Sequence, residues 1–176
     1  MNARRTLILG GVRSGKSRLA ERLARESGLA VTYIATAQAG DAEMAARIAA
    51  HRARRPAHWR LREEPLHLAA ALQAEAAEDR CLLVDCLTLW LTALLTQSDA
   101  DLPEREIQAL LDALPRLPGR LLLVSNETNM GVTPLGELSR RYCDLAGELH
   151  QALAQCCDQV ILTVAGLPQI LKGEPL

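Results

Sequence analysis

The sequence predicts an α/β protein in which a mostly parallel sheet is flanked by helices in three layers. Three observations predict it. Short apolar segments alternate with segments of helical periodicity. One segment, Cys81–Val84, is apolar throughout, which is typical of a strand buried on both faces. A glycine-rich loop stands between the first strand and the first helix, and the length of 176 residues indicates one domain, residues 1–176.

Each element has a local reason in the sequence. Strands are predicted at short apolar or alternating runs: Thr6–Leu9, Val31–Ala35, His58–Arg62, Cys81–Val84, Leu121–Ser125 and Gln159–Val164. Helices are predicted where apolar residues recur every three or four positions: Ser17–Ser27, Asp41–Arg54, Leu66–Glu78, Leu87–Leu95, Glu104–Leu114 and Leu138–Cys157. Gly28 and Pro56 are expected to end the first two helices, and Asp41 to cap the second.

The composition excludes several classes of protein. Aromatic residues make up 2% of the chain and Phe is absent, so an aromatic platform for nucleic acid is not expected. The net charge of −1 also argues against a polyanionic partner. No segment is long and apolar enough for a membrane span, and a cytoplasmic protein is the simplest interpretation. The five cysteines form no C-x-x-C pair, so we expect buried, free thiols.

The glycine-rich loop matches the phosphate-binding pattern G-x-x-x-x-G-K-[ST] in full. Its residues are Gly10, Gly11, Val12, Arg13, Ser14, Gly15, Lys16 and Ser17. Backbone N–H groups of such a loop, together with the following helix N-terminus, cradle phosphate oxygens. Lys16 is therefore expected to reach the β- and γ-phosphates of a nucleoside triphosphate, and Ser17 to ligate Mg²⁺.

An acidic residue that could complete a magnesium site follows a buried strand. Asp85 comes directly after Cys81–Val84 and is similar to the aspartate that holds Mg²⁺ in phosphate-loop NTPases. Asp85 as the N-cap of the next helix is an alternative that stays open. The residues alone thus indicate a magnesium-dependent triphosphate site.

A histidine and several arginines cluster around the second predicted helix. Arg47, His51 and Arg55 are spaced four residues apart, and Arg52 and Arg54 add further charge. Arginines in such a cluster suit polyphosphate, and a neutral imidazole is a competent nucleophile toward phosphorus. A solvated basic helix face is the alternative. Spacing does not choose among the four histidines, which are His51, His58, His67 and His150.

Taken together, these motifs resemble the bifunctional adenosylcobinamide kinase / adenosylcobinamide-phosphate guanylyltransferase family of cobalamin biosynthesis. The similar blocks follow one another from residue 6 to about 172. They are Gly10–Ser17, Tyr33–Ala37, Glu43–Met44, Arg47–Ile48, His51–Arg52, Arg55–Pro56, Trp59, Asp85–Trp90, Val124–Glu127 and Val164–Pro168. The resemblance implies the RecA-like branch of the P-loop NTPase fold.

The resemblance implies two reactions. A nucleoside triphosphate, ATP or GTP, phosphorylates the aminopropanol hydroxyl of adenosylcobinamide. GTP then guanylylates His51, and adenosylcobinamide phosphate takes GMP from that histidine. Lys16 is implied to hold phosphates in both steps, with Mg²⁺ on Ser17 and Asp85. The other residues implied to bind nucleotide are Tyr33, Ile34, Ala35, Arg52, Ala53, Arg54, Arg55, Glu63 and Asp85.

Some features depart from the family pattern or leave other functions open. The family's loop after Asn126–Glu127 usually carries glycine where Asn129 stands, and Ala93 replaces a usual asparagine. Asparagine can adopt the left-handed conformation of glycine, so we expect the loop to keep its fold. The family also implies a homo-oligomer, usually a trimer. A P-loop kinase of another alcohol and a non-catalytic nucleotide switch are the alternatives.

Overall fold

The elements of the fold alternate between strands and helices. The computed structural model describes residues 4–37 and 55–176, and isolated positions 42, 45, 46, 49 and 53. The strands are β1 (Arg5–Gly10), β2 (Ala30–Ala35), β3 (Arg60–Glu63), β4 (Arg80–Asp85), β5 (Arg120–Asn126), β6 (Gln159–Val164) and β7 (Leu167–Lys172). The helices are α1 (Lys16–Glu26), α2 (Leu68–Glu75), α3 (Leu87–Leu95), α4 (Leu102–Ala113) and α5 (Glu137–Cys156), with a 3₁₀ turn at Leu114–Arg116.

The seven strands form one sheet in the order β3-β2-β4-β5-β1-β6-β7. All neighbours are parallel except β6 and β7, which form an antiparallel hairpin. Strand β1 lies in the interior of the sheet, between β5 and β6. Because the parallel strands share one direction, the segments that follow β1, β2, β3, β4 and β5 all leave from the same edge of the sheet.

Strand alternation divides the core into two apolar clusters, one on each face of the sheet. In β1, Leu7 packs into one cluster and Ile8 into the other. The first cluster contains the fully buried Trp90 and side chains from α2, α3, α4 and α5. The second contains Trp59 and the apolar side of α1. The predicted three-layer arrangement with a mostly parallel sheet is therefore confirmed.

Several boundaries and one strand differ from the prediction. The helix predicted at Leu66–Glu78 is shorter, Leu68–Glu75, and β7 was not predicted. Gly28 has φ of 68° just beyond α1, as expected of a helix stop. Residues 42, 45, 46, 49 and 53 are helical, in agreement with the helix predicted at Asp41–Arg54, whose other residues lie outside the described part.

All five cysteines carry free thiols. Three of them, Cys81, Cys86 and Cys157, are buried as predicted, whereas Cys143 and Cys156 are only half-buried. Burial raises the pKa of Cys81 and of Cys86 to about 11, and that of Cys157 to about 12. These three thiols are therefore packing groups rather than nucleophiles near neutral pH.

Candidate nucleotide site

Four predicted site segments meet at the carboxyl edge of the sheet. The phosphate loop follows β1, Ala35 and Glu63 end β2 and β3, and Asp85 ends β4. In the parallel ladders, Ala35 is the register partner of both Glu63 and Asp85. The fold thus brings together the loop, the β2 terminus and the two carboxylates that sequence reasoning selected.

The phosphate loop adopts a tight turn that needs unusual backbone conformations. Arg13 has φ of 57° and Gly15 has φ of 98°, both in the left-handed region. The Ser14 N–H donates to the Gly11 carbonyl over 3.2 Å, and the Lys16 Nζ donates to the same oxygen over 3.0 Å. The Ser14 hydroxyl is buried without a hydrogen-bond partner among the described residues. A buried polar atom of this kind inside a loop fits a polar ligand such as phosphate.

Lys16 is the first residue of α1 and is only 8% exposed. Burial lowers the pKa of Lys16, while Cys86 and Asp85 act in the opposite direction and favour the ammonium. A cation already shielded from water interacts more strongly with a phosphate than an exposed cation does. Ser17, the next residue, is half-buried at the same helix end.

Tyr33 contacts Asp85 from the neighbouring strand. The Tyr33 hydroxyl donates a hydrogen bond to Asp85 Oδ2 over 3.0 Å. Burial raises the pKa of Tyr33, and the Asp85 carboxylate raises it further. The phenol is therefore a stable donor that fixes the orientation of the carboxylate. Ile34 is fully buried, so its contribution to a ligand site is limited to its backbone.

The alternative role of Asp85 as a helix cap is wrong. The N-cap of α3 is Cys86, and no side-chain hydrogen bond caps that helix. The Cys86 backbone is held instead by Thr36, whose hydroxyl accepts from Cys86 N over 3.0 Å and donates to Cys86 O over 2.6 Å. The peptide bond between Asp85 and Cys86 is cis.

Ser17 and Asp85 fit a magnesium ion by the chemistry of their donors. A hydroxyl and a carboxylate are the hard oxygen ligands that Mg²⁺ accepts alongside water and substrate phosphates. Within residues 4–37 and 55–176, no group of three or more His, Cys, Asp and Glu could hold a metal ion.

A second region of the site surrounds Tyr33. The Arg55 guanidinium stacks 4.0 Å from the centre of the Tyr33 ring. Beside this pair is a cavity of about 180 Å³, lined by Tyr33, Arg55, Pro56, Ala57, Trp59, Arg60 and Leu61. The cavity thus combines a guanidinium with aromatic surface. Its wall includes Arg60 and Leu61 of β3, the strand that ends at Glu63.

The histidine–arginine segment falls mostly outside the described residues. His51, Arg47, Arg52 and Arg54 all lie there. Ala53 is helical and exposed, and Arg55 is half-buried. The predicted roles of His51 and its neighbours therefore stay predictions.

The hairpin of β6 and β7 contacts the phosphate loop, a contact that the sequence analysis did not predict. The Gly166 N–H donates to the Ser14 carbonyl over 2.8 Å. A Cβ on Gly15 would lie 3.1 Å from Gly166 Cα, so glycine at position 15 allows the close approach, whereas a Cβ on Gly166 would meet nothing within 4 Å. The signal was present in Val164–Pro168, where Ala165 and Gly166 form the turn with φ of 51° and 82°.

The loop after β5 keeps an ordered path for a reason different from the expected one. Asn129 is not among the described residues with positive φ, so it does not use the left-handed conformation that asparagine can adopt. Its side-chain amide instead donates to the Cys143 carbonyl on α5 over 2.8 Å. A Cβ on Gly147 would lie 2.9 Å from the Asn129 amide nitrogen, so glycine there makes room for it.

Comparison with known proteins identifies the family. The family model described as cobinamide kinase / cobinamide phosphate guanyltransferase matches residues 6–171. The chain belongs to this family. It is 71% identical to the bifunctional adenosylcobalamin biosynthesis protein CobP of Pseudomonas aeruginosa, over 98% of this chain and 99% of that protein. It is 43% identical to the corresponding CobU of Salmonella typhimurium, over 94% and 98%. The family resemblance of the sequence is thus confirmed, and the chain belongs to a family of enzymes.

Solved structures confirm the P-loop NTPase fold for this family member. The RadB recombinase is similar with a TM-score of 0.51 and 18% identity, over 90% of this chain and 73% of that chain. The ATPase EscN of enteropathogenic E. coli is similar with a TM-score of 0.58 and 14% identity, over 93% and 43%. At these identities the likeness concerns the fold alone. In the part of the chain that the structure describes, no helix is long and apolar enough to cross a membrane.

Proposed function

We propose that this chain is a bifunctional adenosylcobinamide kinase and adenosylcobinamide-phosphate guanylyltransferase. The observation that carries the proposal is the phosphate loop standing beside Asp85 at one sheet edge, in a chain of this family. In the first reaction, ATP or GTP phosphorylates the aminopropanol hydroxyl of adenosylcobinamide. In the second, GMP passes from GTP through a histidine to adenosylcobinamide phosphate, giving adenosylcobinamide-GDP.

In the kinase step the phosphate loop binds the triphosphate and Lys16 neutralises charge on its outer phosphates. The N-terminal end of α1 adds its partial positive charge at the same place. Ser17 and Asp85 would hold Mg²⁺, which supplies charge neutralisation at the phosphate oxygens when bound. Tyr33 supports this arrangement because its hydroxyl fixes one Asp85 oxygen.

In the guanylyltransferase step His51 is the proposed nucleophile. A neutral imidazole attacks the α-phosphorus of GTP, the Pα–O bond to pyrophosphate breaks, and a GMP-histidine forms. Arg52, Arg54 and Arg55 neutralise the phosphates, with Ala53 between them, and Glu63 contacts the guanosine. Support comes from Arg55, which packs on Tyr33 beside the cavity, and from Glu63 as the register partner of Ala35.

A labelling experiment tests the guanylyltransferase. Purified protein is incubated with Mg²⁺ and GTP labelled at the α-phosphate, then denatured. Acid-labile label is expected on the wild type and on His58→Ala, an exposed histidine nearby, but not on His51→Ala. Label on His51→Ala would show that the nucleophile is a residue other than His51. A chain that binds GTP but takes no label would lack the guanylyltransferase activity, and a screen of alcohol acceptors would then test the alternative of a simple P-loop kinase.

A second variant tests the phosphate loop. Lys16→Ala should reduce both reactions by about 100-fold, because both need the triphosphate held in place. Phosphorylation of adenosylcobinamide and labelling of the chain are measured separately. A kinase rate equal to that of the wild type would contradict the role of the loop.

The family also supports a proposed homo-oligomer, a trimer by resemblance. Large apolar side chains are exposed at Met130, Val132, Leu135 and Leu138, and again at Leu167 and Leu171. Exposed apolar surface of this kind is more common at interfaces than on isolated monomers.

A further inference from the structure

Three polar side chains lie close together at the carboxyl end of β5: Ser125, His150 and Glu127. His150 lies on α5, and its Nε2 is 2.8 Å from the Ser125 hydroxyl at the end of β5. Its Nδ1 is 3.8 Å from Glu127 Oε2, just beyond β5. Ser125 is fully buried and His150 is 7% exposed. Neither the phosphate loop nor the magnesium site uses any of the three.

The two polar neighbours of His150, one hydrogen-bonded and one a nearby carboxylate, assign a protonation state to the imidazole. Burial lowers the pKa of His150, although the Glu127 carboxylate favours the cation. A neutral imidazole carries one N–H. The negative charge of Glu127, 3.8 Å from Nδ1, favours the N–H on Nδ1, and Nε2 then accepts from the Ser125 hydroxyl. His150 therefore turns its N–H dipole toward the Glu127 carboxylate, and its hydrogen bond with Ser125 fixes the ring in that orientation.

Glu127 is tied to the loop that follows β1. Its backbone N–H donates to the Gly10 carbonyl over 3.0 Å, one residue after the last β1–β5 pair, Gly10 and Asn126. Glu127 Oε1 accepts from the Asn129 N–H over 2.7 Å. The Glu127 side chain is 16% exposed, so part of it is accessible to solvent. One carboxylate oxygen is thus held by the Asn129 N–H, the other lies near His150, and the carboxylate remains partly exposed on a residue whose backbone is bonded to Gly10.

The kinase step needs a group that takes a proton from the acceptor hydroxyl. Protein carboxylates serve in this role in phosphoryl transfer. Asp85 ends β4, the neighbour of β5 in the sheet; it already accepts a hydrogen bond from Tyr33 and is proposed to hold magnesium. Glu127 lies between Asp85 and the phosphate loop, because the strand order is β4-β5-β1.

We propose that Glu127 accepts the proton of the acceptor hydroxyl, and that His150 is the positioning residue that holds the Glu127 carboxylate for this task. The inference rests on the proposed kinase activity. The acceptor O–H bond breaks as its proton passes to Glu127, and the oxygen forms a bond to the γ-phosphorus. The bond from the γ-phosphorus to the β,γ-bridging oxygen breaks, the nucleoside diphosphate leaves, and Glu127 later returns the proton to water.

The test compares the two half-reactions in the same variants of the full chain. Phosphorylation of adenosylcobinamide is measured for kcat and KM, and self-guanylylation by labelled GTP is measured without acceptor. Glu127→Gln should lower kinase kcat by about 100-fold or more. Its self-guanylylation should match the wild type, since that half-reaction involves no acceptor hydroxyl.

His150 is tested by truncation and by a conservative replacement. His150→Ala should lower kinase kcat by about 10-fold with little change in KM. His150→Asn should restore most of the loss, because the asparagine amide nitrogen occupies the place of Nδ1 along the side chain. Gln151→Ala, the exposed neighbour on α5, is the matched control and should behave as the wild type.

Three results would overturn the proposal. An unchanged kinase kcat in Glu127→Gln would show that Glu127 is not the proton acceptor. An unchanged kcat in His150→Ala would show that His150 does not position Glu127. Equal loss of both half-reactions in Glu127→Gln shows that the residue only supports the phosphate loop. A wild type that performs neither half-reaction overturns the proposed function itself, which is a different outcome from any of these.

Discussion

At the scale of single residues, the hydrogen bond from Tyr33 to Asp85 is the contact that orders the proposed metal ligand. Its 3.0 Å length and the burial of Tyr33 leave the carboxylate with one oxygen fixed. Groups that orient a metal ligand commonly change metal affinity by 10- to 100-fold, on the order of one to three kcal/mol. Loss of the hydroxyl alone should therefore be visible in the magnesium requirement.

Tyr33→Phe should raise the Mg²⁺ concentration for half-maximal kinase activity by about 10-fold, with a smaller effect at saturating Mg²⁺. Tyr142→Phe makes the same chemical change on α5 and is the control. The measurement is a magnesium titration of the kinase rate. Superimposable titration curves for wild type and Tyr33→Phe would refute this role of the tyrosine.

His150 also makes the stability of the protein depend on pH. Burial lowers its pKa in the folded state below the ordinary value of 6.5. Below about pH 6.5 the unfolded chain binds a proton that the folded chain does not, so the free energy of unfolding falls as pH falls, by up to about 1.4 kcal/mol per pH unit.

His150→Asn should flatten this dependence between about pH 7.5 and about pH 5.5. Urea denaturation at several pH values measures it, with Gln151→Ala as the control. If wild type and His150→Asn lose stability in parallel over that range, other groups carry the pH dependence.

The site was predictable from sequence only where a residue type and its spacing define the chemistry. The phosphate loop and Asp85 carry such patterns, and the fold brings them to one edge. The Tyr33 hydroxyl, the Gly166 N–H and the His150 imidazole act through contacts across different elements. Local sequence patterns contain no information about such contacts, so these roles were not predicted, although Tyr33 itself was named as a nucleotide-binding residue and His150 stood among four histidines.

At the scale of elements, the turn into β5 depends on Gly119 for two separate reasons. Its φ is 76°, and an added Cβ would lie against the Ala77 carbonyl oxygen and 2.5 Å from that of Arg80. Gly28, after α1, has a similar φ of 68° but open space where a Cβ would stand. A comparison of substitutions at the two glycines therefore distinguishes the cost of backbone strain from the cost of steric contact.

Gly28→Ala should destabilise the protein by about 1 kcal/mol, the cost of the left-handed conformation. Gly119→Ala should cost about 3 kcal/mol or more, because two backbone carbonyls must also move. Chemical denaturation of both variants measures the difference. Equal losses of stability in the two variants would mean that the Ala77 and Arg80 carbonyl groups shift at no cost in free energy.

The helices and strands whose apolar residues follow a clear pattern were predicted well. The bounds of α3 and β6 agree with the predicted Leu87–Leu95 and Gln159–Val164 to the residue. In contrast, β7 contains Pro168 and mostly exposed side chains, so it lacks the apolar pattern of a strand. It forms because the turn at Ala165–Gly166 returns the chain antiparallel to β6. The turn geometry, not the strand pattern, was the missing information.

At the scale of the whole molecule, the proposed homo-oligomer is tested by the mass of the purified chain. Light scattering of the purified chain should give a molar mass that is a whole multiple of the monomer, three by the family resemblance. A monomeric mass at working concentrations would contradict the proposed homo-oligomer. The one-domain organisation over residues 1–176 stays a prediction.

The place of β1 in the sheet has a consequence for how the protein is made. Arg5 of β1 pairs with Leu121, and Thr6 with Gln159, so the strand that carries the phosphate loop has only distant neighbours. During translation β1 leaves the ribosome long before β5 and β6 exist. Until then its apolar edges are exposed, and such long-range pairing is slow. We expect newly made chains to depend on protection from aggregation until β6 emerges, and to gain nucleotide binding only after that point.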